Sequence, residues 1–249
     1  MRAILTYHSV DPSASAISLD AETFQRHVRW LVGGMVRVAT LPGLLAMPPE
    51  SDAVALTFDD GFTNFATAAW PPLRDHGVPV TLFVVVDRVG RTNTWPGRQR
   101  SAVPTLPLLA WDALTRLTAE GVTLGSHSRT HARLTTLSAD ALEAEVQGSA
   151  ERLRAATGER PCAFAYPYGS VNGTVERVVS ANYRWACTTV LRPLRASEVP
   201  HLLPRLDMYY FRAPGRLESW GTPAFGRYLW LRSQARRLRE TLPSLGAVR

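Results

Sequence analysis

Six short apolar runs, each separated from the next by residues of helical or loop character, set the limits on what this chain can fold into. They cover residues 3–6, 53–58, 78–86, 122–126, 162–166 and 184–190, and are rich in Val, Leu, Ile, Phe and Thr, as buried strands are. Between them, Asp20 starts a helix as an acidic N-cap with Glu22 in its first turn. Ser138 caps another, which places Leu142, Val146 and Leu153 on one face. Strand and helix in alternation predict parallel βα units, an α/β class of fold whose chemistry sits at the C-terminal ends of the strands. A length of 249 residues suits one such barrel as a single catalytic unit.

Two stretches break the alternation. Residues 88–108 form a Gly-, Pro- and Arg-rich insertion that carries Trp95, expected as a loop over the active face. Beyond Tyr210 the strand pattern stops, which predicts a catalytic barrel over residues 1–210 and an extension over 211–249. The net charge of +7 is concentrated there: from Arg205 to Arg249 nine Arg stand against Asp207, Glu218 and Glu240. Tyr228, Leu231, Ala235, Leu238 and Leu242 recur at spacings of three and four, with Arg227, Arg232, Arg236, Arg237 and Arg239 around them. That describes a basic amphipathic helix. It can pack on its own domain with a solvated Arg face, or dock peripherally on an anionic membrane surface. Nucleic acid is not expected as a partner, because the body of the chain lacks a basic stripe.

Cys162 and Cys187 match no disulfide framework or zinc spacing and are expected as buried thiols. Apolarity breaks at Tyr7-His8, too early for a signal peptide, and no apolar run is long enough for a bilayer. The expected location is the cytoplasm.

Three segments carry chemistry. In Leu56-Thr57-Phe58-Asp59-Asp60-Gly61 an apolar strand ends in two carboxylates and a Gly that permits a sharp turn. Adjacent side chains on a strand point oppositely, so one acid can bind a metal while its neighbour stays free as a base; the plain alternative is an Asp-rich loop cap. In Gly125-Ser126-His127-Ser128-Arg129-Thr130-His131, two His at i and i+4 meet on one face if a helix or turn starts there. Two imidazoles with one carboxylate, leaving positions open to water, make a catalytic zinc site. In Phe164-Ala165-Tyr166-Pro167-Tyr168-Gly169, Pro and Gly allow a turn that exposes the Tyr168 N–H, a donor suited to an oxyanion.

In this order, Thr57-Phe58-Asp59-Asp60-Gly61, His127-Ser128-x-x-His131 and Tyr166-Pro167-Tyr168-Gly169 resemble the polysaccharide deacetylase family, the NodB-homology domain of carbohydrate esterase family 4. The opening Leu5-Thr6-Tyr7-His8 resembles members that begin with a Tyr-His strand, and the likeness runs from about residue 3 to residue 208. It implies a distorted (β/α)7 barrel, with Asp59 as general base and Asp60, His127 and His131 as ligands of one divalent ion, Zn²⁺ in first place. The Tyr168 N–H would hold the oxyanion, and Tyr166, Pro167 and Trp95 are candidate substrate contacts.

The chain departs from the family where many members have an Arg that orients the catalytic Asp; here that position is Ala165. Arg205, at the end of a late apolar segment, is the expected replacement. The general acid is open: His201 is the only late His, and His8, which ends the first strand, is expected in the site, facing the metal from the barrel mouth. His27 and His76 are expected as structural. The activity this resemblance implies is metal-dependent N-deacetylation of an acetylated amino sugar in a glycan, glycolipid or glycoside. The alternatives are hydrolysis of another C–N bond, in a cyclic amide or acylated natural product, and a glycan-binding relative without catalysis.

Overall fold

The computed structural model describes residues 1–95 and 103–241. Its strands are β1 (Arg2–Tyr7), β2 (Ser9–Val10), β3 (Ser18–Leu19), β4 (Arg37–Val38), β5 (Ala53–Phe58), β6 (Val80–Val84), β7 (Thr123–Ser126), β8 (Ala163–Ala165), β9 (Trp185–Cys187) and β10 (Leu206–Asp207). Its helices are α1 (Ala21–Val32), α2 (Leu41–Ala46), α3 (Trp70–Asp75), α4 (Trp111–Ala119), α5 (Ala139–Thr157), α6 (Gly173–Asn182) and α7 (Pro223–Thr241). The main sheet runs β10-β1-β5-β6-β7-β8-β9, with β4 also on β5, and every pairing in it is parallel. Leu203, just ahead of β10, bridges Cys187 of β9. The chain that enters β10 therefore touches both edges of the sheet, which curls into the half-barrel of a distorted (β/α) barrel.

All six apolar runs became strands, though the last shrank to Trp185–Cys187. Both expected N-caps formed: Asp20 accepts from the Thr23 N–H and Ser138 from the Ala141 N–H. Leu142, Val146 and Leu153 are buried on α5.

Side chains alternate between the two faces of each strand, and this parity organises the molecule. Ala3, Leu5 and Tyr7 of β1, with Val54, Leu56 and Phe58 of β5, pack outward into the large core that includes α1. Ile4, Ala53, Ala55, Phe83, Ala163, Ala165, Cys187 and Leu203 form a second cluster inside the curl. Gly125 belongs to the inner face of β7, where a Cβ would come within 2.5 Å of the Phe83 ring. The register continues past the strand ends, with the Asp59 N–H donating to the Tyr7 carbonyl and the His127 N–H to the Val84 carbonyl, both at 2.9 Å. His8, Asp59, His127 and Arg205 all fall on inner positions and emerge at the C-terminal mouth.

The extension is helical as expected, but it packs by a different face. Phe225 and Leu229 are buried against the main core, whereas Leu231 and Leu238 are more than half exposed. Two of its arginines are not simply solvated: Arg216 and Arg232 lie over the Tyr228 ring at 4.4 and 5.4 Å. Leu242 lies outside the described residues. Among those described, no helix is long and apolar enough to cross a membrane.

His27 is structural. Its Nε2–H donates to the Phe211 carbonyl at 3.1 Å, and the Tyr7 hydroxyl lies 3.4 Å from Nδ1. Burial lowers its pKa to about 4, so the folded protein holds it neutral. The unfolded chain binds the proton first, so this contribution to stability is complete above pH 6.5 and is lost as pH falls toward 4. Urea midpoints measured stepwise across that window are expected to fall, and to fall less steeply in His27→Gln.

Candidate active site

Asp59 and Arg205 meet inside the mouth. Arg205 Nη1 and Nη2 each donate to one Asp59 carboxylate oxygen at 2.7 Å, and each residue is only 2% exposed. Arg205 Nε donates to the Thr188 carbonyl at 3.0 Å, and its guanidinium lies 5.8 Å from the Phe83 ring centroid. Burial alone would raise the Asp59 carboxyl. The charge of Arg205, followed by that of His127, outweighs it and holds the group well below the usual carboxylate range. Position 165 is Ala, and its backbone carbonyl serves instead as acceptor for His127 Nδ1 at 2.7 Å.

That bond fixes the tautomer of His127: Nδ1 carries the proton, and Nε2 turns its lone pair toward Asp60 Oδ1 at 3.5 Å. His131 Nε2 reaches the same oxygen at 3.4 Å. The ligand atoms of Asp60, His127 and His131 lie within 4.8 Å of one another, and all three residues are buried. Asp60 Oδ1 and His131 Nδ1 are enclosed without a hydrogen-bond partner, which costs about 1–3 kcal/mol per group. A divalent cation between Asp60 Oδ1 and the Nε2 atoms of His127 and His131 would satisfy the carboxylate, so the donor set fits the expected ion. Burial also lowers the His127 pKa to about 4, in keeping with a neutral ligand.

Backbone strain concentrates here. Of the five residues other than Gly with positive φ among those described, Asp60, Ser128, His131 and Tyr168 border the site. The left-handed turn at Asp60, φ 71°, brings the second carboxylate back to the same mouth as the first, where a regular strand would have sent it outward. The two His meet without a helix, because residues 127–131 form a loop. Glu145 of α5 holds that loop by accepting from the Arg129 and Thr130 N–H groups at 2.9 and 3.0 Å. A carboxylate beside Leu142 and Val146 on the buried face of α5 was the sequence signal for this residue, and it was missed.

His131 is clamped between aromatic rings. Trp95 stacks on it at 4.1 Å and Tyr168 meets it edge-on at 4.6 Å. Trp95 is only 7% exposed and packs with Phe62, Val85 and Leu108, so it supports a ligand more than it offers a surface to substrate. The rest of its insertion, residues 96–102, lies outside the described residues. Tyr168 adopts φ 59°, ψ 8°, and Gly169 after it is required: a Cβ would stand 2.1 Å from Thr189 Oγ1.

Tyr166 and His201, both expected at the site, lie elsewhere. Tyr166 is on outward parity, fully buried between sheet and helices, with its hydroxyl donating to the His201 carbonyl. Pro167 is also buried, in the turn ahead of Tyr168. His201 Nε2–H donates to the carbonyl of Tyr183, a residue that precedes β9, at the end of the strand away from the mouth. His8, by contrast, is at the site, with Nε2 3.8 Å from Asp59 Oδ2. Asp207 was not anticipated. It shares the inner parity of Leu203 and Arg205; burial raises its carboxyl, and the nearby charge of His8 partly offsets the rise. Cys187 is a buried thiol pushed up to about 12 by burial, and Cys162 is half-buried.

Residues 46–185, more than half of the chain, match the family model for polysaccharide deacetylases. The chain belongs to the polysaccharide deacetylase family. The Bacillus subtilis (strain 168) protein YxkH is 23% identical over 232 residues, 91% of this chain and 75% of that one. A chitin deacetylase of Colletotrichum lindemuthianum is 29% identical over 55% of this chain, which spans only 46% of that enzyme. IcaB from Ammonifex degensii has the same fold, with a TM-score of 0.72 at 21% identity over 92% of this chain and 96% of that one. The family match covers the strands that carry Asp59, Asp60, His127, His131 and Tyr168 but stops before Arg205.

Removing one member of a buried ion pair leaves the other charge uncompensated. Arg205→Met is expected to lower stability by about 3–5 kcal/mol in urea denaturation. Adding Asp59→Leu should recover most of that loss, since the orphaned charge is then gone.

Proposed function

We propose that this polysaccharide deacetylase family member hydrolyses the N-acetyl group of an acetylated amino sugar, using one divalent ion, Zn²⁺ in first place, held by Asp60, His127 and His131. Residues 1–210 form its catalytic barrel and 211–249 an extension. The observation that carries this reading is an ionised, Arg-held Asp59 next to a buried Asp-His-His set, with His8 Nε2 3.8 Å from the same carboxylate.

The chemistry such an ion supplies is polarisation of the amide carbonyl and acidification of a bound water. Asp59 takes the proton of the attacking water. Because Arg205 keeps this carboxylate ionised, it is a weak base, and it depends on a nucleophile already made acidic. Arg205 also fixes the carboxylate plane. The Tyr168 N–H stabilises the oxyanion of the tetrahedral adduct. His8, with Nε2 3.8 Å from Asp59 Oδ2, protonates the departing amine. Collapse of the adduct breaks the C–N bond and yields acetate and the free amine. Hydrolysis of a different C–N bond drew part of its support from Ala165, and that part is weaker with Arg205 paired to Asp59.

The test pairs metal analysis with acetate release from N-acetylglucosamine oligomers. Wild type is expected to hold about one metal per chain and to release acetate. Asp59→Asn should keep the metal and lose about 10²–10⁴-fold in rate, the range for removal of a general base. A protein that binds no divalent metal, or an Asp59→Asn variant as fast as wild type, would overturn the reading. Metal without acetate from any amino sugar would keep the site and discard the substrate.

A further inference from the structure

The packed side of α5 is not wholly apolar. Beside Leu142, Val146 and Leu153 it carries Glu145, Gly148 and Ser149, which stand at i, i+3 and i+4 and so share one side of the helix. Glu145 and Ser149 are buried, and all three residues meet the segment 126–131. The Glu145 Oε2 atom accepts from the Arg129 N–H at 2.9 Å and from the Thr130 N–H at 3.0 Å. Its Oε1 accepts from the Thr130 hydroxyl at 2.7 Å. Gly148 leaves room for the Arg129 side chain, whose Cδ would stand 2.9 Å from a Cβ there. Ser149 Oγ accepts from the Ser126 hydroxyl at 2.8 Å, and Ser126 Oγ accepts from the Ser128 N–H at 3.2 Å. Ser128 Oγ accepts in turn from the His131 N–H at 3.1 Å. A chain of bonds thus runs from α5 to the backbone of a proposed metal ligand.

We infer that this polar side of α5 presets the histidine loop for the metal, with Glu145 as the positioning residue that governs how tightly Asp60, His127 and His131 hold a divalent ion. The inference rests on the deacetylase reading and adds to it a residue outside the ligand set. Ser128 and His131 both have φ 65°, a left-handed conformation that side chains other than Gly keep only under constraint. Arg129 and Thr130 lie between the two histidines, and their successive N–H groups converge on one carboxylate oxygen. Convergent N–H groups of this kind form an anion-binding nest, and here the anion belongs to the chain itself. Bonds to an ionised acceptor are about twice as strong as neutral ones, which makes Glu145 the strongest single hold on the turn. The carbonyls of Ser128 and Arg129 are taken by the Val86 and Asp87 N–H groups on the other edge, so α5 is what holds the loop N–H groups. Without Glu145 the turn relaxes toward ordinary φ values, and His131 Nε2 drifts from the Asp60 oxygen it shares with His127. A ligand set already in place loses little freedom when the ion arrives, so the hold on the loop is read as metal affinity.

The experiment measures the affinity of the metal-free protein for Zn²⁺ and Co²⁺ by competition with a chelator, and records the visible spectrum of the Co²⁺ form. Glu145→Ala is expected to weaken binding about 10–100-fold, the range for loss of a group that supports a metal ligand, and to shift the Co²⁺ band that reports ligand geometry. Glu145→Gln retains an oxygen able to accept both N–H bonds and should recover most of that loss. Thr130→Val removes only the hydroxyl bond to Glu145 and should cost about fivefold, the net worth of one hydrogen bond; it keeps the test open if the Ala variant does not fold. Leu153→Ala is the control, because it opens a cavity under the same helix about 12 Å along it from Glu145. Its urea midpoint should fall while its metal affinity stays within about twofold of wild type. Wild-type affinity in both Glu145→Ala and Thr130→Val would overturn the inference. So would a Gln variant as weak as the Ala variant, or a Leu153→Ala loss as large as that of Glu145→Ala. A wild-type protein that binds no divalent metal would bring down the deacetylase reading and this inference together. Metal bound through a loop that depends on Glu145, with no acetate released from any amino sugar, would bring down the substrate reading alone.

Discussion

The Asp59–Arg205 pair lies where every structural demand on this chain converges. It joins β5, near the middle of the sheet, to the segment that enters β10, and that segment also bridges β9. Two buried charges cannot be left apart in such an interior; each would cost several kcal/mol of desolvation without the other. Burial of the pair therefore couples closure of the sheet to the ionised state of the carboxylate proposed as base. Curl and charge state are settled by one contact, with Thr188 and Thr57 completing the donors and acceptors around the guanidinium.

Around that pair the mouth is held in conformations that an unconstrained chain avoids. Left-handed backbone at Asp60, Ser128, His131 and Tyr168 persists only because neighbouring groups hold it. Glu145 holds the histidine loop from below and Asp87 ties down Arg129 from the side. Trp95 and Tyr168 grip the His131 ring. The enclosed, unpartnered Asp60 Oδ1 and His131 Nδ1 are the remaining unmet demand. A site of this kind is rigid before any ligand arrives, which is what metal and oxyanion chemistry require.

The motifs were legible because strand-end chemistry is local. An apolar run followed by Asp59-Asp60-Gly61, or by His127 and His131, is written in a few consecutive residues, and period-two parity says which of them face inward. The same parity, applied to β8, would have removed Tyr166 from the candidate site. Applied to the segment before β10, it would have added Asp207 beside Arg205. His201 was favoured by its position late in the chain, and position in sequence carries no information about which end of a strand a side chain reaches.

By itself the sequence determined the strand–helix alternation, the N-caps at Asp20 and Ser138, and the acid and histidine motifs at the strand ends. Each of these depends on neighbours within a few residues. Only the tertiary structure decided that Arg205 meets a carboxylate 146 residues away and that Phe225 and Leu229, not Leu231 and Leu238, anchor the last helix. The periodicity of α7 allows more than one apolar stripe, and the stripe that is used depends on the surface it meets. Curl of the sheet brings distant strand ends within bonding range, and no local pattern encodes that distance.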